Sequence, residues 1–96
     1  MKIVNTVNGD TMTIALEGWL DTQAAPELAA LINDLPEGIK TVAIECEKLE
    51  YISSSGIRQI VAAYKKVDGN LELRNVSTEI MEVLKMTGVA GRVKIV

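Results

Sequence analysis

Residues 51–58 read YISSSGIR, and this stretch decides how the chain divides into elements. Tyr51 and Ile52 are two apolar residues at the expected end of a strand segment, whereas Ile57 opens a repeat of apolar residues at helical spacing. Three serines and a glycine lie between the two segments. The stretch therefore predicts a strand, a tight turn and a helix in succession. The question it raises is whether the serines only form the turn or also carry a function.

The first eighteen residues predict a β-hairpin. Residues 2–7 and 11–18 read as strands, with clear alternation in the second, and they flank the sequence Asn8-Gly9-Asp10. Asn-Gly is the strongest short signal for a hairpin, because a tight primed turn needs positive φ at both central positions. An antiparallel pair of strands is therefore expected at the start of the chain.

The segment between the hairpin and the serine turn predicts a helix and a central strand. Asp21 or Thr22 can cap this helix by accepting a hydrogen bond from an early N–H, and residues 36–38 (Pro-Glu-Gly) end it. Residues 40–46 are mostly apolar and contain β-branched side chains, which is typical of a strand covered on both faces.

The residues after the turn predict two more helices and two more strands. Met81 and Met86 have the helical spacing of core residues. The element order is β-β-α-β-α-β-α-β, which predicts the α/β class with a mixed, mostly parallel sheet, an N-terminal hairpin and three helices. The expected bounds are a helix from Gly56 to the turn at 68–70, a strand at 71–73, a helix capped by Ser77 and ended by Gly88, and a strand at 93–96.

Length and composition predict one domain, 1–96, with an aliphatic core. Hydrophobic residues make up 48% of the 96 residues, yet there is no Phe and only one Trp. The net charge of −3 and the scattered basic residues argue against nucleic-acid binding, and no run of 18 apolar residues predicts a membrane span. The single cysteine, Cys46, is expected to be a buried hydrophobe, and the lack of a partner for a disulfide fits the cytoplasm.

The absence of histidine limits what the three serines can do. It excludes the Ser-His-Asp triad, the Cys-His pair and most zinc sites. A phosphate-binding loop is also excluded, because it would need further glycines at fixed spacing and a lysine that this turn lacks. No catalytic residue, metal or cofactor is therefore expected, and Glu45, Glu47 and Glu50 are interpreted as a solvated edge. A cap needs only one hydroxyl, however. A phosphate on Ser54 or Ser55 would lie at the free N–H groups of a helix, which stabilise it.

Five short segments, taken in order, resemble a STAS domain of the anti-sigma factor antagonist type. The family signature places D-S-S-G-[LI] between a strand and a helix, and residues 53–57 (SSSGI) occupy that place. Residues 18–22 (GWLDT) resemble the family's G-x-L-D loop, and residues 25–28 (APEL) its first helix. Residues 42–45 (VAIE) and 71–76 (LELRNV) resemble two of its strands. The resemblance covers nearly the whole chain and implies the STAS fold.

The resemblance also implies a non-enzymatic regulator that works by partner switching. Unphosphorylated, such a protein binds a serine-kinase anti-sigma factor and so releases the sigma factor. The kinase phosphorylates the serine after the acidic residue of the signature, and a PP2C-type phosphatase restores it. By position that serine is Ser54, and Asp21 and Thr22 match the loop that lies beside it. The free protein is expected to be a monomer.

One departure from the signature keeps alternatives open. Ser53 stands where the family usually has Asp, which leaves Ser53 and Ser55 as alternative acceptors. Trp19 is expected to be a partly buried anchor, and Arg58 to face solvent. The alternative function is a STAS subunit of a transporter or signalling assembly that uses the same face without phosphorylation. In either case the expected partner surface comprises Asp21, Thr22, Ser53, Ser55, Gly56 and Arg58.

Overall fold

The computed structural model describes residues 1–96 and contains one five-stranded sheet with three α-helices. The strands lie in chain order across the sheet; the first pair is antiparallel and the others are parallel. The element order, the hairpin and the mixed sheet are as predicted. The elements are β1 (Lys2–Asn8), β2 (Thr11–Leu20), α1 (Ala25–Asn33), β3 (Thr41–Ile52), α2 (Ser54–Lys66), β4 (Leu71–Arg74), α3 (Thr78–Met86), a 3₁₀ turn (Val89–Gly91) and β5 (Lys94–Ile95).

The core lies on one face of the sheet. Successive crossovers that each lead to the next strand in the same direction place their helices on the same side. Buried residues of all three helices accordingly form one apolar cluster with alternate residues of the strands. Its fully buried larger members are Ile14, Leu16, Leu20, Leu28, Ile32, Ile44, Ile60, Leu71, Leu73 and Leu84.

The opposite face of the sheet is not covered by any helix. On β3 this face carries Thr41, Ala43 and Glu45, of which only the small Ala43 is buried. On β4 it carries Glu72 and Arg74, whose Oε2 and Nε atoms lie 2.7 Å apart in an ion pair. The prediction that the central strand is covered on both faces was therefore wrong. The apolar run in residues 40–46 arises because one face of β3 is buried in the core and the other face contributes the small side chain of Ala43.

Strand β3 runs six residues further than the sequence pattern predicted. Its pairing with β2 slips by one residue between Glu45 and Lys48 and again between Leu49 and Tyr51. Such bulges bend a strand and increase its twist, and they also break the alternation of apolar and polar side chains. This break is why the sequence pattern ended the strand at residue 46. In the fold, β2 and β3 end side by side, with Leu20 paired to Ile52.

Helix α3 shows where the helical spacing was misleading. Met86 is its last residue and is 87% exposed, so the prediction of a core residue was wrong; Met81 is half-buried. The buried face of this helix is defined by Ile80 and Leu84. Met86 follows Leu84 by two residues, which turns it about 200° away from that face.

None of the three helices combines the length and the apolar character needed to cross a membrane.

Candidate functional site

The candidate site lies where β2 and β3 end at the same edge of the sheet. The backbone N–H of Ser53 donates to the carbonyl of Leu20 across 2.9 Å, which joins the two strand ends. The chain leaves β2 through Asp21 and Thr22 and leaves β3 through the serine turn, so the two loops are neighbours. Carboxyl ends of parallel strands are the usual place for binding sites in open α/β sheets. The fold therefore brings together the two loops that the sequence singled out.

Ser53 is the residue that caps α2. Its backbone is extended (φ −89°, ψ 172°), and its Oγ accepts a hydrogen bond from the N–H of Gly56 across 3.1 Å. Its carbonyl accepts the first intrahelical bond, from the N–H of Ile57, across 2.9 Å. The helix thus begins at Ser54, two residues before the predicted start. Asp and Ser are equally good caps, so the uncharged Ser53 fills this structural role fully.

The other two serines differ in what their hydroxyl groups do. The Oγ of Ser55 lies 3.5 Å from the Oγ1 of Thr22, so it ties α2 to the loop after β2. Ser55 is half-buried. Ser54 is exposed, and its hydroxyl makes no hydrogen bond within the protein. Of the three serines, only Ser54 offers a hydroxyl that is both accessible and uncommitted.

Gly56 is required by the close approach of α2 to the strand ends. A Cβ built on it would lie 2.8 Å from both the Cγ and the carbonyl oxygen of Leu20, and 2.9 Å from the Cγ1 of Ile52. Gly56 itself is buried. Its place in the predicted partner surface is therefore beneath that surface, where it sets the position of the serine turn.

Asp21 shapes the loop that faces the serine turn. Its Oδ1 accepts from the N–H of Ala24 across 2.9 Å, and its carbonyl accepts from the N–H of Ala25 across 2.9 Å. Helix α1 begins at Ala25, and its N-cap residue, Ala24, makes no side-chain cap bond. The prediction that Asp21 or Thr22 caps this helix was therefore wrong by one turn. Asp21 instead closes the preceding turn, and Thr22 remains exposed.

Arg58 supplies the positive charge beside the turn. It is exposed, and it forms no ion pair, because the single ion pair of the protein joins Glu72 and Arg74. It lies one helical turn after Ser54 and lines a shallow hollow between α1 and α2 together with Thr22 and Ser55. Residues four apart share a helix face, so the guanidinium can reach a charge placed on Ser54.

The remaining titratable groups singled out from the sequence lie outside this site. Burial, helped by the negative charge of Glu45, raises the pKa of the Cys46 thiol to about 12. The Oε1 of Glu45 accepts from the side-chain amide of Asn75 across 2.9 Å and from the N–H of Glu47 across 3.2 Å. No group of three or more acidic, Cys or His residues has a geometry suited to a metal ion. Glu45 thus holds the turn after β4.

Two aromatic residues at the edge of the site were not recognised as a pair from the sequence. Trp19 is 58% exposed, which corrects the prediction of partial burial, and Tyr51 is 45% exposed. Their ring centroids lie 5.4 Å apart at an interplanar angle of 43°. The residues are opposite each other only because the two bulges in β3 together shift the register by two residues. The alternation of the strands gave no sign of that shift.

With this geometry defined, comparison with known proteins identifies the family. The model of the STAS domain matches residues 2–96.

The chain belongs to the STAS family.

BtrV of Bordetella bronchiseptica, whose name assigns it to the anti-sigma factor antagonists, is 32% identical to this STAS chain over 84 residues. The alignment covers 82% of this chain and 72% of BtrV. The prediction of a STAS protein of the anti-sigma factor antagonist type agrees with this relative.

Solved structures agree on the STAS fold. The unphosphorylated form of the anti-sigma factor antagonist SpoIIAA superposes with a TM-score of 0.86 at 22% identity, covering 99% of this chain and 88% of SpoIIAA. The phosphorylated form of SpoIIAA, a Bacillus cell fate determinant, gives 0.77 at 22% identity, with 99% and 91% covered. A serine-to-glutamate variant of RsbS of Moorella thermoacetica gives 0.70 at 16% identity, with 100% and 86% covered. At these identities the likeness concerns the fold.

Proposed function

We propose that this STAS protein is an anti-sigma factor antagonist that switches partners through phosphorylation of Ser54. Unphosphorylated, it binds a serine-kinase anti-sigma factor in the cytoplasm and so frees the sigma factor. The kinase transfers the γ-phosphoryl group of ATP to the Ser54 hydroxyl, with loss of ADP and a proton, and the modified chain is released. A PP2C-type phosphatase hydrolyses the phosphoserine and resets the switch.

The observation that carries the proposal is that the hydroxyl groups of the three serines differ in their hydrogen bonds. Ser53 accepts the capping bond from Gly56, and Ser55 contacts Thr22, whereas the hydroxyl of Ser54 is exposed and unbonded. A phosphoryl group on Ser53 would disturb the cap, and one on Ser55 would disturb the contact between the loops. Ser54 can be modified without loss of any hydrogen bond.

The helix start explains how the protein would tolerate the added charge. Ser54 and Ser55 are the first two residues of α2, so their N–H groups have no partner within the helix. A phosphate there adds about −1.5 to −2 charges, which the helix dipole and these N–H groups stabilise. The fold is kept, and the change is confined to the electrostatics of a small exposed patch. A partner surface that fits the uncharged turn beside Arg58 would no longer match the phosphorylated turn, so its binding would weaken.

Phosphate mapping tests the proposed acceptor. The chain is incubated with its serine-kinase anti-sigma factor and ATP, and the modified residue is found by mass spectrometry. We expect phosphate on Ser54, none on the Ser54→Ala variant, and undiminished labelling of Ser55→Ala as the matched control. Labelling that persists in Ser54→Ala would reject Ser54 as the acceptor.

Binding measurements test the switch itself. By calorimetry, Ser54→Ala should bind the kinase as the wild type does. Ser54→Asp should bind at least about tenfold more weakly, which corresponds to about 1.4 kcal/mol. Equal affinities would show that charge at this position is not the switch.

A second candidate function rests on Ser53, which lacks the charge of the usual acid. If a kinase needs that acid, the chain would serve as a permanent subunit of a transporter or signalling assembly. Stable co-purification with such an assembly, without labelling of residues 53–55 by any co-purified kinase, would favour this function.

A further inference from the structure

The exposed aromatic pair, Trp19 and Tyr51, is unusual for this chain. The sequence has three aromatic residues, and two of them lie on the surface while the core is built from aliphatic side chains. The third, Tyr64, is half-buried against the core. Single exposed apolar residues are common and need no explanation, but two contacting aromatic rings at one edge form a concentrated apolar surface.

The pair is continuous with the serine turn. Trp19 precedes Asp21 by two residues of β2 and its loop, and Tyr51 precedes Ser53 by two residues of β3. At a strand rise of about 3.3 Å per residue, the Cα atoms of both aromatic residues lie within roughly 10 Å of the serine turn. A protein interface of standard size buries about 800 Å² on each side, which corresponds to a disc of roughly 16 Å radius. A protein that covers Ser54 with such an interface therefore also reaches the aromatic pair.

The chemistry of the pair suits a protein partner rather than a small ligand. Trp and Tyr, with Arg, dominate the binding energy of protein interfaces, and all three are exposed around the serine turn: Trp19 and Tyr51 on the sheet side, Arg58 on the helix side. The two rings already contact each other at 5.4 Å, so little side-chain freedom is lost when they are covered. The pair lies next to the last residues of β2 and β3, and the hollow that Trp19 lines with Asp21 and Glu27 is open to solvent.

We infer that Trp19 and Tyr51 are the anchor by which the proposed kinase partner holds this chain. The inference rests on the proposed function and adds a division of roles. The aromatic pair supplies most of the affinity from the sheet side, and Ser54 supplies the switch from the helix side. The partner accordingly presents an apolar pocket beside the surface that faces Ser54.

Alanine variants of the full chain test the anchor. Calorimetry with the purified serine-kinase anti-sigma factor should show binding weakened at least about 30-fold by Trp19→Ala and by Tyr51→Ala. The matched control is Met86→Ala, because Met86 is also exposed and apolar but lies at the far end of α3, at the opposite edge of the sheet. Its affinity should stay within about twofold of the wild type. Circular dichroism checks that each variant is folded.

The single tryptophan gives a second, independent readout. Because Trp19 is the sole tryptophan of the chain, replacing it with 5-fluorotryptophan gives one ¹⁹F signal. We expect this signal to shift on addition of the partner and to return when Ser54 is phosphorylated. A signal that stays unchanged on binding, or alanine variants that bind within twofold of the wild type, would overturn the anchor while leaving the proposed function standing.

Two other outcomes separate the inference from its alternatives. If the wild type does not bind the kinase at all, the proposed function fails and the anchor fails with it. If sedimentation shows a dimer of the free chain that Trp19→Ala dissociates, the pair is a contact between two copies, which also overturns the inference.

Discussion

The substitution Gly56→Ala tests how the fold holds the serine turn in place. The added Cβ would lie 2.8 Å from two atoms of Leu20 and 2.9 Å from one atom of Ile52. These separations are about 0.7 Å short of a comfortable contact between carbon atoms. One of the atoms is the backbone carbonyl of Leu20, which accepts the hydrogen bond of Ser53 and cannot move away freely. Helix α2 must therefore shift outward from the ends of β2 and β3.

The expected cost follows from two opposing terms. Overpacking a close contact costs about 1–3 kcal/mol, and the upper end applies because a backbone atom is involved. Alanine in a helix regains about 0.5–1 kcal/mol over glycine. We expect the free energy of unfolding to fall by about 2 kcal/mol. Taking about 2.1 cal/mol/K per residue for the unfolding entropy, the melting temperature should fall by about 10 °C.

The assay is thermal and urea unfolding followed by circular dichroism. Gly91→Ala is the matched control, because a Cβ there meets no atom within 4 Å and its φ is not in the left-handed region. It should change the free energy of unfolding by no more than about 0.5 kcal/mol. If Gly56→Ala is as stable as Gly91→Ala, the close approach does not position the turn and the reasoning is refuted.

Further predictions concern the serine turn and the buried thiol. Ser53→Ala should lower the free energy of unfolding, measured by urea titration, by about 1 kcal/mol, because it removes the helix cap. Ser53→Asp, which keeps a capping oxygen, and Ser54→Ala, which removes no hydrogen bond, should stay within about 0.5 kcal/mol of the wild type. Equal stability of the two alanine variants would contradict the assignment of the cap. Cys46 should react with iodoacetamide at pH 8 only at the rate of unfolding, since burial raises its pKa to about 12; reaction as fast as in urea would contradict its burial. The folded state therefore keeps the thiol protonated up to a higher pH than the unfolded state does. Its stabilising contribution is complete below pH 9.0 and is lost between pH 9.0 and about 12. Cys46→Ala should remove this loss from the pH profile of the free energy of unfolding.

Features that depend on near neighbours in the chain could be predicted from the sequence. The hairpin, the helix cap of Ser77 and the order of the elements follow from backbone preferences and side-chain periodicity, and all three are present in the fold. The expected turn type was wrong, because Asn8 pairs with Thr11, which leaves Gly9 and Asp10 as the central residues, and only Gly9 has positive φ. The serine turn was also located correctly, because a strand pattern changes to a helix pattern there. The sequence left open which serine does what.

The tertiary structure decided the features that depend on contacts between distant residues. The hydroxyl of Ser55 is engaged by Thr22, which is 33 residues away, and Gly56 is required by Leu20, so the free hydroxyl of Ser54 emerges only when β2, β3 and α2 are assembled. The same holds for the open face of the sheet and for Trp19 against Tyr51, which the two bulges in β3 align. Periodicity specifies which residues lie on one face of a single element. It carries no information about register between strands, or about which face another element will cover, because packing of the whole chain fixes both.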